Sequence, residues 1–168
     1  GKGFSNPSKN GKSCNYGIGL DGRIGMYVEE KDRSWCSSNR ANDHRAITIE
    51  CASDSKHPYA INENVYKSLV NLCADICKRN DIKELKWRAD KSLIGQVDKQ
   101  NMTVHRWFVN KSCPGQYIYE RLGQIASEVN ALLGAEPEIV EPMIPDTPIE
   151  FNPSPYEMAE FVSDVQKA

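Results

Sequence analysis

His105 and Cys113, with seven residues between them, are the pair in this chain best suited to chemistry. A neutral imidazole and a thiolate are both zinc ligands. Cys113 stands directly before Pro114-Gly115 and a stretch that reads as a helix start. The partial positive charge of a helix N-terminus lowers a thiol's pKa and readies the sulfur for a metal or an electrophile. The same pair also fits a second chemistry, with Cys113 as nucleophile and His105 as its base. A metal site needs more than two protein ligands, so the pair raises the question of where a third one lies.

Other residues qualify by position. Glu50 ends an apolar run, Ala46-Ile47-Thr48-Ile49-Glu50-Cys51, and strand ends of α/β sheets often carry function. Trp35, Asn39, Asn42, Asp43 and His44 form an aromatic and polar set just before that run. Trp35 suits a sugar or peptide groove, or plain packing. His44, between Asp43 and Arg45, and His57, before Pro58, read as structural or surface histidines.

Secondary structure must bring these residues together. Asp21-Gly22 between two short β-prone runs predicts a hairpin over about 16–28. Residues 46–51 alternate apolar bulk at Ile47, Ile49 and Cys51, as a strand does. Val65, Leu69, Leu72, Cys73, Ile76 and Cys77 recur at helical spacing and predict a helix over 62–79, with Asn62 or Asn64 as cap. In residues 81–100 no period dominates, and Trp87 alone is assigned to the core. Residues 101–105 read as a short extended segment delivering His105. Ile118, Leu122, Ile125, Ala126, Val129 and Leu132 predict a helix over 116–133 that stops at Gly134. Strands mixed with two amphipathic helices imply an α/β fold, with helices packed on a sheet.

The two ends differ from this body. Residues 1–13 read as a loop. Residues 135–155 carry repeated prolines among acids and read as a stiff linker. Tyr156 to Ala168 resumes helical spacing at Met158, Phe161, Val162 and Val165, the expected start of a second domain or a docking tail helix. The last 34 residues hold eight acidic residues against Lys167, leaving 20 basic against 15 acidic residues in 1–134. That mild excess suits an anionic polymer, either cell wall or nucleic acid. No nucleic-acid recognition motif accompanies it. No apolar run is long enough to span a membrane, and the N-terminus shows no signal core. The six cysteines are too sparse for a disulfide scaffold and imply synthesis in a reducing compartment.

Taken in order, four stretches carry a family likeness. They are Asn15-Tyr16-Gly17-Ile18-Gly19-Leu20-Asp21-Gly22-Arg23-Ile24, Asp32-Arg33-Ser34-Trp35, Asn42 through Glu50, and His105 through Pro114. Together, over residues 13 to 133, they resemble the type 2 N-acetylmuramoyl-L-alanine amidases, with particular likeness to clostridial phage endolysin catalytic domains. The resemblance implies a zinc amidase fold related to peptidoglycan recognition proteins, a central mixed sheet flanked by helices. It implies an amidase domain over 1–134 and, after the linker, the start of a cell-wall-binding domain at 156–168. It implies Zn2+ held by two His and a Cys or Asp, with His105 as the second His and Cys113 as the last ligand. Glu50 matches the acid that handles the water proton, and Lys111 the residue that stabilises the oxyanion.

The expected reaction is hydrolysis of the bond between N-acetylmuramic acid and L-alanine in peptidoglycan. The expected setting is an enzyme made in the cytoplasm that acts on the wall after release. The first zinc His of the family is absent from residues 1–15 and is expected on a strand upstream of Gly1. That gap motivates an alternative, a peptidoglycan-binding module of the same fold without catalysis.

Overall fold

The computed structural model describes residues 12–134 and 163–166. The expected loop at the N-terminus, the proline-rich linker and most of the 156–168 segment lie outside these residues. The chain folds as α/β. In chain order the elements are β1 (Tyr16–Ile18), β2 (Ile24–Met26), α1 (Arg40–Asp43), β3 (Ala46–Cys51), α2 (Glu63–Arg79), β4 (Met102–Val104), α3 (Gln116–Leu133) and β5 (Ser163–Gln166). The strands form one mixed sheet in the order β2-β1-β3-β5-β4.

The hairpin forms where Asp21-Gly22 predicts it. β1 and β2 pair antiparallel, Tyr16 opposite Met26. Gly22 has φ +78°, and a Cβ there would lie 2.8 Å from Ser68 Oγ and 3.0 Å from Asn64 O. Only glycine meets both demands. Asn62 caps α2 by accepting from Val65 N at 3.0 Å and donates to Leu20 O at 2.9 Å, so one side chain starts the helix and holds the hairpin.

The core lies between the sheet and α2 and α3. Ile47, Ile49 and Cys51 of β3 are fully buried, as are Val65, Leu69, Cys73, Ile76 and Cys77 of α2 and Ile118 and Val129 of α3. Cys73 and Cys77 are small core residues, as their helical spacing predicts. None of the six cysteines is joined in a disulfide. Burial pushes the Cys77 thiol up to about 12, so it stays protonated and inert. Gly134 closes α3 in the left-handed conformation at φ 78°.

Residues 81–100 follow no ladder because amide side chains take its place. Asn130 Oδ1 accepts from Leu85 N at 2.7 Å and Asn130 Nδ2 donates to Leu85 O at 2.9 Å. Asn101 Oδ1 accepts from Lys86 N at 2.7 Å, and Gln100 Oε1 accepts from Arg88 N at 2.9 Å. Trp87 does pack on the body, stacked on Trp107 at 5.0 Å and edge-on to Tyr119 at 5.8 Å.

The C-terminal segment departs from its helical spacing. Ser163–Gln166 is a strand, antiparallel to both β3 and β4. The physical reason is that β3 and β4 each offer it an edge. A ladder on both sides satisfies more backbone than a short, marginal helix could. Those four residues thus belong to the same sheet as Glu50, not to a separate helix.

Candidate active site

The register fixes where the chemistry sits. β1 runs parallel to β3, and β5 is antiparallel to both β3 and β4, so β1, β3 and β4 all point the same way. Asp164 of β5 registers with Thr48 on one side and with Thr103 on the other. Glu50 and His105 each lie two residues further along. They therefore stand on one face of the sheet, at the C-terminal ends of parallel strands, where α/β sheets place their ligands.

That face is polar yet covered. Thr48, Glu50 and Thr103 are no more than 1% exposed, and His105 is 2% exposed. The cover comes from residues 12–15 and 28–45. Asn15 N donates to Thr48 Oγ1 at 3.0 Å, Asn15 Oδ1 accepts from Thr48 N at 3.0 Å, and Asn15 Nδ2 donates to Glu29 O at 3.1 Å. The single turn of α1 closes the other side, with Thr103 Oγ1 donating to Asn42 Oδ1 at 3.2 Å.

Between these anchors, Cys36-Ser37-Ser38 runs over the site and touches both sequence-identified residues. Cys36 Sγ donates to Glu50 Oε1 at 3.6 Å. Ser38 Oγ lies 3.2 Å from His105 Nε2. Spacing and composition do not single out either contact. The only local hint is a Ser-Ser-Asn run ahead of a helix turn, which suits a cap.

Cys113 is returned to His105 by the loop between them. Arg106 N donates to Cys113 O at 3.1 Å, Arg106 Nε to the same oxygen at 3.3 Å, and Arg106 Nη2 to Ser112 O at 2.6 Å. Gly115, at φ +84°, sits where a Cβ would come within 2.7 Å of Tyr59 Cβ and 3.1 Å of Pro58 O. Tyr117 N donates to Pro58 O at 3.0 Å, docking the His57–Tyr59 loop on the entry of α3. Helix α3 begins at Gln116, three residues after Cys113, with no side-chain cap.

Glu50, His105 and Cys113 are thus drawn into one region. Lys111 rides exposed on the same loop, and among the described residues its ammonium group makes no hydrogen bond or ion pair. His44 and His57 are exposed. Trp35 is 51% exposed, with the Arg33 guanidinium 4.0 Å above its ring. Buried Ser34 and Cys36 flank it, so its ring projects from the opposite side of the segment to Glu50.

The donor chemistry fits zinc by type, one imidazole and one thiol. It does not fit by number: among the described residues no group of three His, Cys, Asp or Glu is placed to hold a metal ion. No described helix is long and apolar enough to cross a membrane.

Searches of curated proteins and of solved structures each returned no match. A comparison with protein families matches residues 2–116 to N-acetylmuramoyl-L-alanine amidase. The match spans β1, β2, β3 and β4 with Glu50, His105 and Cys113, and leaves β5 outside it, so the polar strand ends and the returning loop lie within its bounds: the chain belongs to the type 2 N-acetylmuramoyl-L-alanine amidase family.

Proposed function

We propose that this chain is a zinc-dependent amidase of bacterial peptidoglycan, with Glu50, Lys111, His105 and Cys113 as its working residues. It hydrolyses the amide that joins the lactyl group of N-acetylmuramic acid to L-alanine, in the manner of an endolysin released onto the wall. The observation that carries this reading is the meeting of Glu50 and His105 on one face under residues 36–38, with Cys113 bonded back to Arg106.

His105 and Cys113 would hold the metal, with a further ligand from outside the described residues. Zinc held there with an open position would supply a nucleophile near neutral pH and polarise the scissile carbonyl. Glu50 accepts the water's proton and hands it to the leaving nitrogen. The C–N bond breaks, the hydroxyl stays on the carbonyl carbon, and L-alanine leaves as a free amine. Burial of Glu50 keeps that carboxylate out of bulk water and aimed by the Cys36 thiol. Lys111, exposed on the returning loop, would reach the developing oxyanion as substrate enters. Losing one such donor elsewhere costs roughly 10²–10³ in rate.

The test is amine release from purified peptidoglycan by the zinc-loaded full chain and by Glu50→Gln. The proposal expects a loss of about 10²-fold or more in the variant with bound zinc unchanged. Zinc-loaded wild-type protein that binds wall but releases no amine would identify the non-catalytic module instead. Activity retained in the presence of a strong chelator would point to Cys113 as a nucleophile.

A further inference from the structure

Ser38 has a left-handed backbone, φ 59°. In a non-glycine residue this is a strained backbone that persists only where the surroundings over-determine it. The surroundings here are specific. Fully buried Ser37 is gripped twice by one carboxylate oxygen: Asp43 Oδ1 accepts from Ser37 N at 2.8 Å and from Ser37 Oγ at 2.6 Å. Asp43 is itself 3% exposed. On the far side, Asn39 caps α1 by accepting from Asn42 N at 3.0 Å. On the near side, Cys36 is held against Glu50. With 36, 37 and 39 each pinned, residue 38 must reverse direction between them, and that reversal carries its Oγ over His105 Nε2 at 3.2 Å.

Packing does not demand a hydroxyl there, because Ser38 is exposed. Its partner is almost wholly buried, and a buried ring nitrogen needs a hydrogen bond. A neutral imidazole can ligate a metal with one nitrogen only. The partner of the other nitrogen decides which one that is.

We propose that Ser38 is a positioning residue for His105: its hydroxyl oxygen accepts the Nε2–H proton, orienting the ring and leaving the ligating lone pair on Nδ1. The inference rests on the reading of His105 as a metal ligand, but its geometry exists without the metal. Asp43 acts one step further out, because it holds the strained turn that delivers the hydroxyl. The same short segment therefore serves both members of the site, Glu50 through Cys36 and His105 through Ser38.

The experiment compares the full chain with Ser38→Ala, Ser38→Gly and Ser38→Asn. In metal-free ¹⁵N-labelled protein, long-range nitrogen–proton correlations assign the His105 tautomer. Proton exchange then reports whether the ring N–H is hydrogen-bonded. Wild type is expected to carry its proton on Nε2 and to protect it from exchange. Ala and Gly are expected to lose that protection and to bind zinc about 10-fold or more weakly. Gly adopts φ 59° without strain, so its loss reports the hydroxyl rather than the backbone. Asn tolerates the same backbone and offers an amide oxygen, so it should recover part of the affinity.

A wild-type proton on Nδ1 overturns the proposal. So does a Ser38→Gly protein with wild-type ring signals and wild-type zinc affinity. The ring measurement needs no zinc. A protected Nε2–H in a chain that takes up no zinc would refute the metal reading while supporting the Ser38 contact.

Discussion

Arg106 is bonded to Cys113 twice, through its backbone N–H at 3.1 Å and its Nε at 3.3 Å, both to one carbonyl oxygen. The residue after the histidine therefore holds the cysteine's own backbone, and the spacing of His105 and Cys113 in sequence becomes a fixed spacing in space. The Arg106 guanidinium also lies 4.6 Å above the Tyr119 ring, which ties the loop to α3. Arg106→Ala should weaken zinc binding about 10-fold by freeing the loop. It should lower stability by roughly 1–2 kcal/mol, for the lost charged hydrogen bonds and ring contact. Zinc titration and denaturant unfolding read the two effects separately, and an unchanged zinc affinity would show that the loop holds its shape without Arg106.

The ligand assignment makes its own prediction. His105→Ala and Cys113→Ser should each abolish zinc binding, while His44→Ala, at an exposed position whose ring contacts Arg40, should leave it intact. Metal content of the purified variants decides the matter. Stoichiometric zinc in either of the first two would refute the assignment.

Gly115 offers a purely steric test. Its positive φ and the 2.7 Å approach of Tyr59 Cβ to any added Cβ leave no cheap way to accommodate alanine. Gly115→Ala should cost about 2–4 kcal/mol, since the close neighbours include backbone. Because the glycine stands between Cys113 and α3, activity should fall along with stability. Thermal melts showing a variant as stable as wild type would mean that the Pro58–Tyr59 loop can move aside.

A cluster built on Glu30 sets an acid limit on stability. Glu30 Oε1 accepts from Tyr16 Oη and from Arg79 Nη1, each at 2.6 Å, and Glu30 Oε2 accepts from Asn80 Nδ2 at 2.9 Å. Burial by itself would raise the Glu30 pKa, but these bonds together outweigh it and hold the carboxyl below its ordinary value. A depressed folded-state pKa contributes stability above the unfolded value near 4.3–4.5, and that contribution is lost as pH falls through the folded pKa. Glu30→Gln should therefore cost about 1 kcal/mol at pH 7, a modest figure because Arg79 is partly solvated. The gap between variant and wild type should close at acid pH below the carboxylate range. A gap independent of pH would mean that shape, not charge, carries the effect.

The parts of this fold legible in the sequence are those where one local rule acts alone. The α2 and α3 stripes, the Asp21-Gly22 turn, the alternation of β3 and the stop at Gly134 all appear where periodicity and turn chemistry predict them. Legibility fails where side chains replace backbone or where a distant strand competes. Residues 84–90 have no period because Asn130, Asn101 and Gln100 supply their partners from far along the chain. Val165 fits a helix stripe in isolation, but its backbone pairs opposite Ile47 and Met102.

The site divides in the same way. Position and resemblance point to Glu50, His105, Lys111 and Cys113, and the fold draws Glu50, His105 and Cys113 together. Neither points to Cys36 or Ser38, whose contacts depend on a strained backbone held by Asp43 and the Asn39 cap.

The place of Ser163–Gln166 has a practical consequence for anyone handling the protein. A boundary after Gly134 looks natural, because α3 ends there and the proline-rich stretch begins. Trimming the chain at that point would remove the rung that joins the Glu50 strand to the His105 strand. Each would then face the gap with an open edge, ready to pair with a neighbouring molecule. A clone that stops at the apparent domain end would thus delete the strand between those that carry Glu50 and lead to His105, and its silence in an activity assay would say little about the full chain.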